Sequence, residues 1–189
     1  MSVSIIHSIA EITRREQLLV GPGLGYRVGV QAQADKLGAI AAASAVFSEM
    51  GLAYALIGGL AVGIRSGIPR ATLDVDFAIP TSVARTTLIE RLTDRGFRLT
   101  GQFAHSINFQ HESGEPVQLA CDDAFDAMIE RAELMTFGQL QIAVVTKADL
   151  LTMKRRAASD PARRRSKSLR DQADIALLEG DVPEPHEGW

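Results

Sequence analysis

The sequence has one cysteine, Cys121, among its 189 residues. A lone cysteine excludes an internal disulfide and a zinc site built from thiolates. It reads as an inert buried thiol in a reducing compartment, and a cytoplasmic location is the expectation. Aromatic residues are scarce at 5%, with a single tryptophan. No apolar run reaches membrane-spanning length, so no membrane partner is expected. The first residues lack a signal pattern, because Arg14 and Arg15 follow Ile5, Ile6 and Ile9 rather than precede them. Charge of one sign is also missing: the net value of −3 predicts no general affinity for nucleic acid. Lysine is sparse beside alanine, arginine and aspartate, a bias associated with high-GC bacterial proteomes. Hydrophobic residues, at 46%, are ample for a folded core.

The stretch 55–78, ALIGGLAVGIRSGIPRATLDVDFA, carries the chemistry. An apolar run ends in Gly58-Gly59, a short helical segment follows, and an apolar strand over 72–78 contains Asp74 and Asp76. Side chains alternate across a strand, so the two carboxylates share one face, and Leu73, Val75 and Phe77 share the other. Two like charges side by side call for compensation, and a divalent cation, magnesium or manganese, supplies it. Glycines between strand and helix let a ligand approach the backbone, while the N–H groups opening the helix favour an anion. Phosphate at one end and metal at the other is a layout for transferring a nucleotidyl group from a nucleoside triphosphate (NTP). Two solvent-facing acids and a tight turn are the plain alternative.

The remaining pattern mixes strands and helices. Helices are expected over 4–20, 31–50, 60–65 and 80–95, the last capped by Thr81 or Ser82. Strands are expected over 53–57 and 97–100, a hairpin over 105–120, a helix over 123–132 and a strand pair over 134–145. Thr146 caps the next helix, Asp160-Pro161 breaks it, and Ser166 opens a last helix stopped by Gly180. The glycine-rich 21–25 lacks the lysine and framing elements of a phosphate loop and reads as a linker. The organisation is an extension over 1–30, an α+β core with a mixed sheet over 31–145, a helical part over 146–180, and a poorly ordered tail over 181–189. His105 and His111 fall on one strand face and read as ordinary strand residues before metal ligands. Eight basic residues lie between Lys154 and Arg170 against the single acid Asp160. A solvated loop and a surface for triphosphate or RNA both fit them, with Lys154 facing the site. On composition alone, Asp171 and Asp174 are charges near a helix N-terminus.

Ile57-Gly58-Gly59, a gap from Leu60 to Leu73, and Asp74-Val75-Asp76-Phe77 together resemble the signature of the nucleotidyltransferase superfamily of DNA polymerase β. Arg70, Leu151-Thr152-Met153-Lys154 and Arg170-Asp171-Gln172-Ala173-Asp174-Ile175 extend the likeness over 31–178. They resemble the bacterial abortive-infection nucleotidyltransferase toxins and minimal nucleotidyltransferases. The resemblance implies a mixed-sheet core in which Asp74 and Asp76 hold metal and Gly58, Gly59, Arg70, Lys154 and Asp171 hold the nucleotide. It implies transfer to a hydroxyl of RNA (tRNA included) or protein, and a cognate antitoxin. The superfamily carries a third catalytic carboxylate on a later strand. In Pro116-Val117-Gln118-Leu119-Ala120 the matching position is Gln118, which cannot accept a proton. Loss of the base and its replacement by Asp122 or Asp123 both stay open, with strand parity favouring loss. A nucleotide-binding protein without turnover is the rival reading. A nucleotide-sugar glycosyltransferase is a third, which the short chain and Gly58-Gly59 disfavour.

Overall fold

The computed structural model describes residues 35–181. The expected helix over 4–20, the linker at 21–25, the extension over 1–30 and the tail beyond Asp181 lie outside the described residues. Helix α1 spans Lys36–Glu49, strand β1 Ala55–Ile57, α2 Gly58–Ser66, β2 Val75–Ala78, α3 Arg85–Thr93, β3 Phe97–Gln102, β4 Ser106–His111 and β5 Pro116–Ala120. A 3₁₀ turn over Asp123–Phe125 leads into α4, Asp126–Glu130; β6, Glu133–Phe137, and β7, Leu140–Val144, precede α5, Lys147–Ser159, and α6, Arg165–Glu179. The strands make one seven-stranded sheet in the order β3-β4-β5-β2-β1-β7-β6. It is mixed: β1 runs parallel to β7 and β2 parallel to β5, while the other neighbours are antiparallel. The expected α+β class with a mixed sheet is what the chain adopts.

Alternation sets the two faces. Val75 and Phe77 of β2 are buried, and Phe77 meets Phe47 of α1 edge-on at 5.3 Å and Tyr54 at 5.7 Å. Each such fully buried ring contributes about 1.5–3 kcal/mol. Helix α1 is capped by Asp35, whose Oδ1 accepts from the Gly38 amide at 2.9 Å. Ala39, Ile40, Ala43, Val46 and Phe47 face the core, and the alanines allow close approach to the sheet. The hairpin β4–β5 forms as the alternation predicts, with Ile107, Phe109, Val117 and Leu119 inward. Thr146 caps α5: its Oγ1 accepts from the Asp149 amide at 3.1 Å and donates to the Asp149 carboxylate at 2.8 Å. Asp160 follows α5, and Gly180 ends α6 at φ +96°. Helices α5 and α6 pack on each other and on α2, and Leu150 and Leu178 join the same core.

Several expectations are corrected. Strand β2 begins at Val75, so Asp74 precedes it and Leu73, expected inside, is 77% exposed. Thr72 ties down Asp74 through Oγ1 instead, at 3.1 Å, which bends the chain before the ladder starts. Helix α3 opens at Arg85 without a side-chain cap, because Thr81 turns to Asp126, its Oγ1 lying 3.3 Å from Oδ2. The helix expected over 123–132 is a 3₁₀ turn and a short α4, since Asp122 caps the turn through Ala124 N. His105 lies before β4 and is exposed, whereas His111 is buried against Phe97 at 4.8 Å, so they do not form a pair.

Candidate functional site

Gly58 and Gly59 are the first turn of α2, not a loop before it. Gly58 has φ +68°, and a Cβ there would lie 2.8 Å from Asp76 Cγ. Both the backbone and the carboxylate therefore require glycine. A Cβ on Gly59 would lie 2.8 Å from Thr72 Cβ and 3.0 Å from an Arg70 guanidinium nitrogen. The start of α2 thus lies against Asp76 on one side and the Arg70–Thr72 segment on the other. Ile57 pairs with Asp76 in the antiparallel register, which fixes that approach. At its other end α2 is tied down by Arg65, which donates to the carbonyls of Val144 and Val145 at 2.9 and 2.7 Å.

Asp76 is half-buried, and its carboxylate makes no ion pair or hydrogen bond with the described residues. Burial, and then the neighbouring Asp74 charge, push its pKa up to about 7, against the pull of Lys154, Arg70 and Lys167. Lys154 and Arg70, the two strongest of these cations, are engaged with other carboxylates. Asp171 and Asp174 are buried in the middle of α6, not at its N-terminus as composition suggested. Lys154 Nζ lies 3.0 Å from Asp171 and 2.7 Å from Asp174. Arg70 Nε donates to Asp174 at 2.6 Å, and Arg163 Nε to Asp171 at 2.5 Å. Three cations and two carboxylates thus join α5, α6 and the segment before Asp74 into one buried network. Its surplus positive charge is felt at Asp76. Arg155, Arg156, Arg164, Arg165, Lys167 and Arg170 are exposed, as a solvated cluster requires.

Gln118 pairs with Asp76 in the parallel β2–β5 register, where strand parity placed it. Asp122 does not stand in for it. It lies beyond the end of β5, caps Ala124 N at 3.0 Å, and approaches His105 Nδ1 at 3.4 Å. That cap, assisted by Asp123, holds its pKa below the ordinary carboxylate range. Asp123 begins the 3₁₀ turn. No group of three or more His, Cys, Asp or Glu side chains able to hold a metal occurs among the described residues. The pair Asp74 and Asp76 still suits magnesium, whose sites often combine one or two carboxylates with substrate phosphates and water.

Three features escaped the sequence. Asn108 of β4 pairs with Gln118, which puts two amides and Asp76 in a row across three strands. Its signal was present, as the polar centre of the alternating HSINFQH. The buried pairing of Asp174 with Arg70 and Lys154 was missed, although its spacing to Asp171 along one helix face marked the two as a pair. Thr72 carried no signal beyond its nearness to Asp74.

No protein-family model matches the chain, and no curated protein does. Solved structures do. An antigenic nucleotidyltransferase-like protein from Paracoccidioides brasiliensis superposes with TM-score 0.53 at 22% identity, over 82% of this chain and 80% of that one. The lincosamide antibiotic adenylyltransferase LnuA, bound to lincomycin, gives 0.53 at 16% identity, over 74% and 93%. The antibiotic-resistance factor ANT(2'')-Ia gives 0.53 at 16% identity, over 76% and 83%. The α+β architecture of this chain is a nucleotidyltransferase-like fold.

Proposed function

We infer that the protein is a magnesium-dependent nucleotidyltransferase. The observation that carries this reading is the meeting of Gly58 with Asp76: the first turn of α2 abuts a carboxylate whose neighbour Asp74 carries the same charge. The first amides of α2 would receive the triphosphate. Lys154 and Arg70, held in place by Asp171 and Asp174, would offset its charge. Asp74 and Asp76 would hold the metal, which supplies charge neutralisation and orientation for in-line attack. An acceptor hydroxyl oxygen then bonds to the α-phosphorus as the bond to the β-phosphate oxygen breaks. Pyrophosphate leaves with the bonding pair, and the hydroxyl proton passes to water.

RNA, tRNA among it, or a protein would provide the hydroxyl, and the exposed arginines of α5 and α6 favour a polyanion. A toxin role with a cognate antitoxin in the cytoplasm follows from the sequence resemblance. Among the described residues no helix is long and apolar enough to cross a membrane.

Gln118 beside Asp76 supports a second reading, a protein that binds NTP and metal without turnover. Calorimetry with NTP and magnesium tests the donor site. Metal-dependent binding that disappears in Asp74→Ala and Asp76→Ala supports it, and equal binding by wild type and both variants sinks it. Binding without release of pyrophosphate selects the second reading.

A further inference from the structure

Asn108, Gln118 and Asp76 are consecutive cross-strand neighbours on β4, β5 and β2. Ser106, Gln110 and Ala120 share that face and are half-buried, while Ile107, Phe109, Val117 and Leu119 fill the opposite one. Between Asp76 and the Gln110–Arg98 pair at the far edge, this face therefore carries two neutral amides, Gln118 and Asn108. Oδ1 of Asn108 is buried and has no hydrogen-bond partner among the described residues. The Gln118 amide likewise makes no hydrogen bond to them. A buried polar atom without a partner is costly and uncommon, and an amide turned the other way would leave its N–H₂ there instead. Asn108 and Gln118, on adjacent strands and about 5 Å apart at Cβ, form a paired set of donors and acceptors.

We propose that Asn108 and Gln118 form the acceptor subsite and recognise a neutral vicinal diol. Each carboxamide donates through N–H and accepts through C=O; each hydroxyl of a diol does the same, so the two pairs are complementary. A third carboxylate would compete for the metal at this position. The amides bind the acceptor without adding charge beside Asp74 and Asp76. The shared chemistry has two sources, the terminal ribose of an RNA and the ring of a small sugar or polyol. A serine, threonine or tyrosine hydroxyl has no neighbour to fill the second amide. The inference rests on the donor-site reading above.

The test uses the full chain, α-labelled NTP and magnesium with three acceptor pools: total RNA, a mixture of monosaccharides and aminoglycosides, and total protein. Each pool is supplied intact or after periodate oxidation, which cleaves vicinal diols. Label is expected on intact RNA or intact sugar, with the labelled pool identifying the source, and is expected to vanish after oxidation. Asn108→Ala should raise the acceptor KM roughly ten-fold while NTP affinity by calorimetry stays unchanged. Its melting temperature should hold or rise, because the orphaned amide is removed; a structural role would lower it. Asn108→Ser is the second variant, should the alanine form fail to fold. Labelling of oxidised acceptors, labelling of protein alone, an unchanged acceptor KM, or a fallen melting temperature overturns the proposal. Metal-dependent NTP binding with no labelled pool overturns the diol subsite and leaves the donor site standing. Absent NTP binding overturns both.

Discussion

Asp76 makes stability depend on pH in a direction opposite to most carboxylates. An unfolded chain loses the Asp76 proton near 3.8, whereas the folded, metal-free protein holds it up to about 7. Between those values the native state binds more protons than the unfolded state, so stability falls as pH rises and levels off above 7. About three pH units at 1.36 kcal/mol each set a ceiling of about 4 kcal/mol. Water reaching the half-exposed carboxylate reduces this, and roughly 2 kcal/mol corresponds to about 4–8 °C in melting temperature for a domain of this size. Asp122 and Asp149 have lowered pKa values, so their stabilisation is lost only as pH falls below the ordinary carboxylate range. They leave the window from 4 to 7 to Asp76. The assay is thermal unfolding with chelator from pH 5 to 8, for wild type and Asp76→Asn. Wild type should lose stability across the window and the variant should be flatter. Millimolar magnesium should restore wild type most above pH 7, where metal no longer competes with the proton. A wild-type profile that is flat or rising, or an identical slope in Asp76→Asn, refutes the electrostatic account of the acidic pair.

Gly58→Ala forces a side chain into φ +68° and against Asp76; it should cost at least about 1–2 kcal/mol in urea denaturation and abolish metal-dependent NTP binding. Lys154→Met leaves Asp171 and Asp174 short of a buried partner; a loss of about 3–5 kcal/mol is expected, together with weaker NTP binding by calorimetry. Gln118→Asp places a third carboxylate beside Asp76; it should lower the stability of the metal-free protein in thermal unfolding and tighten magnesium binding by calorimetry.

The parts of the site that were legible are those governed by short-range periodicity. Two-residue alternation within the strands put Gln118, not Asp123, at the position that pairs with Asp76. Gly58 was recognisable because few other residues tolerate a positive φ between a strand and a helix. Thr146 and Gly180 marked helix ends through their own chemistry. The Arg70–Asp174 pair spans 104 positions, and nothing local in either segment announces the other. Asn108 joins Gln118 only through the register of the β4–β5 hairpin, which the turn decides. Helix α3 started late because Asp126, far along the chain, engages the threonine expected to cap it. Tertiary contacts chose among local options there, and the same contacts join five charged side chains behind the acidic pair.

The most direct measurement is transfer of label from α-labelled NTP to total RNA, sugar and protein pools, run with magnesium for wild type and for Asp74→Ala and Asp76→Ala. Label covalently attached by wild type, with pyrophosphate released in equal amount and both products absent in the two variants, is the predicted result. Label transferred equally by wild type and both variants would contradict the assignment of Asp74 and Asp76 as the reacting centre.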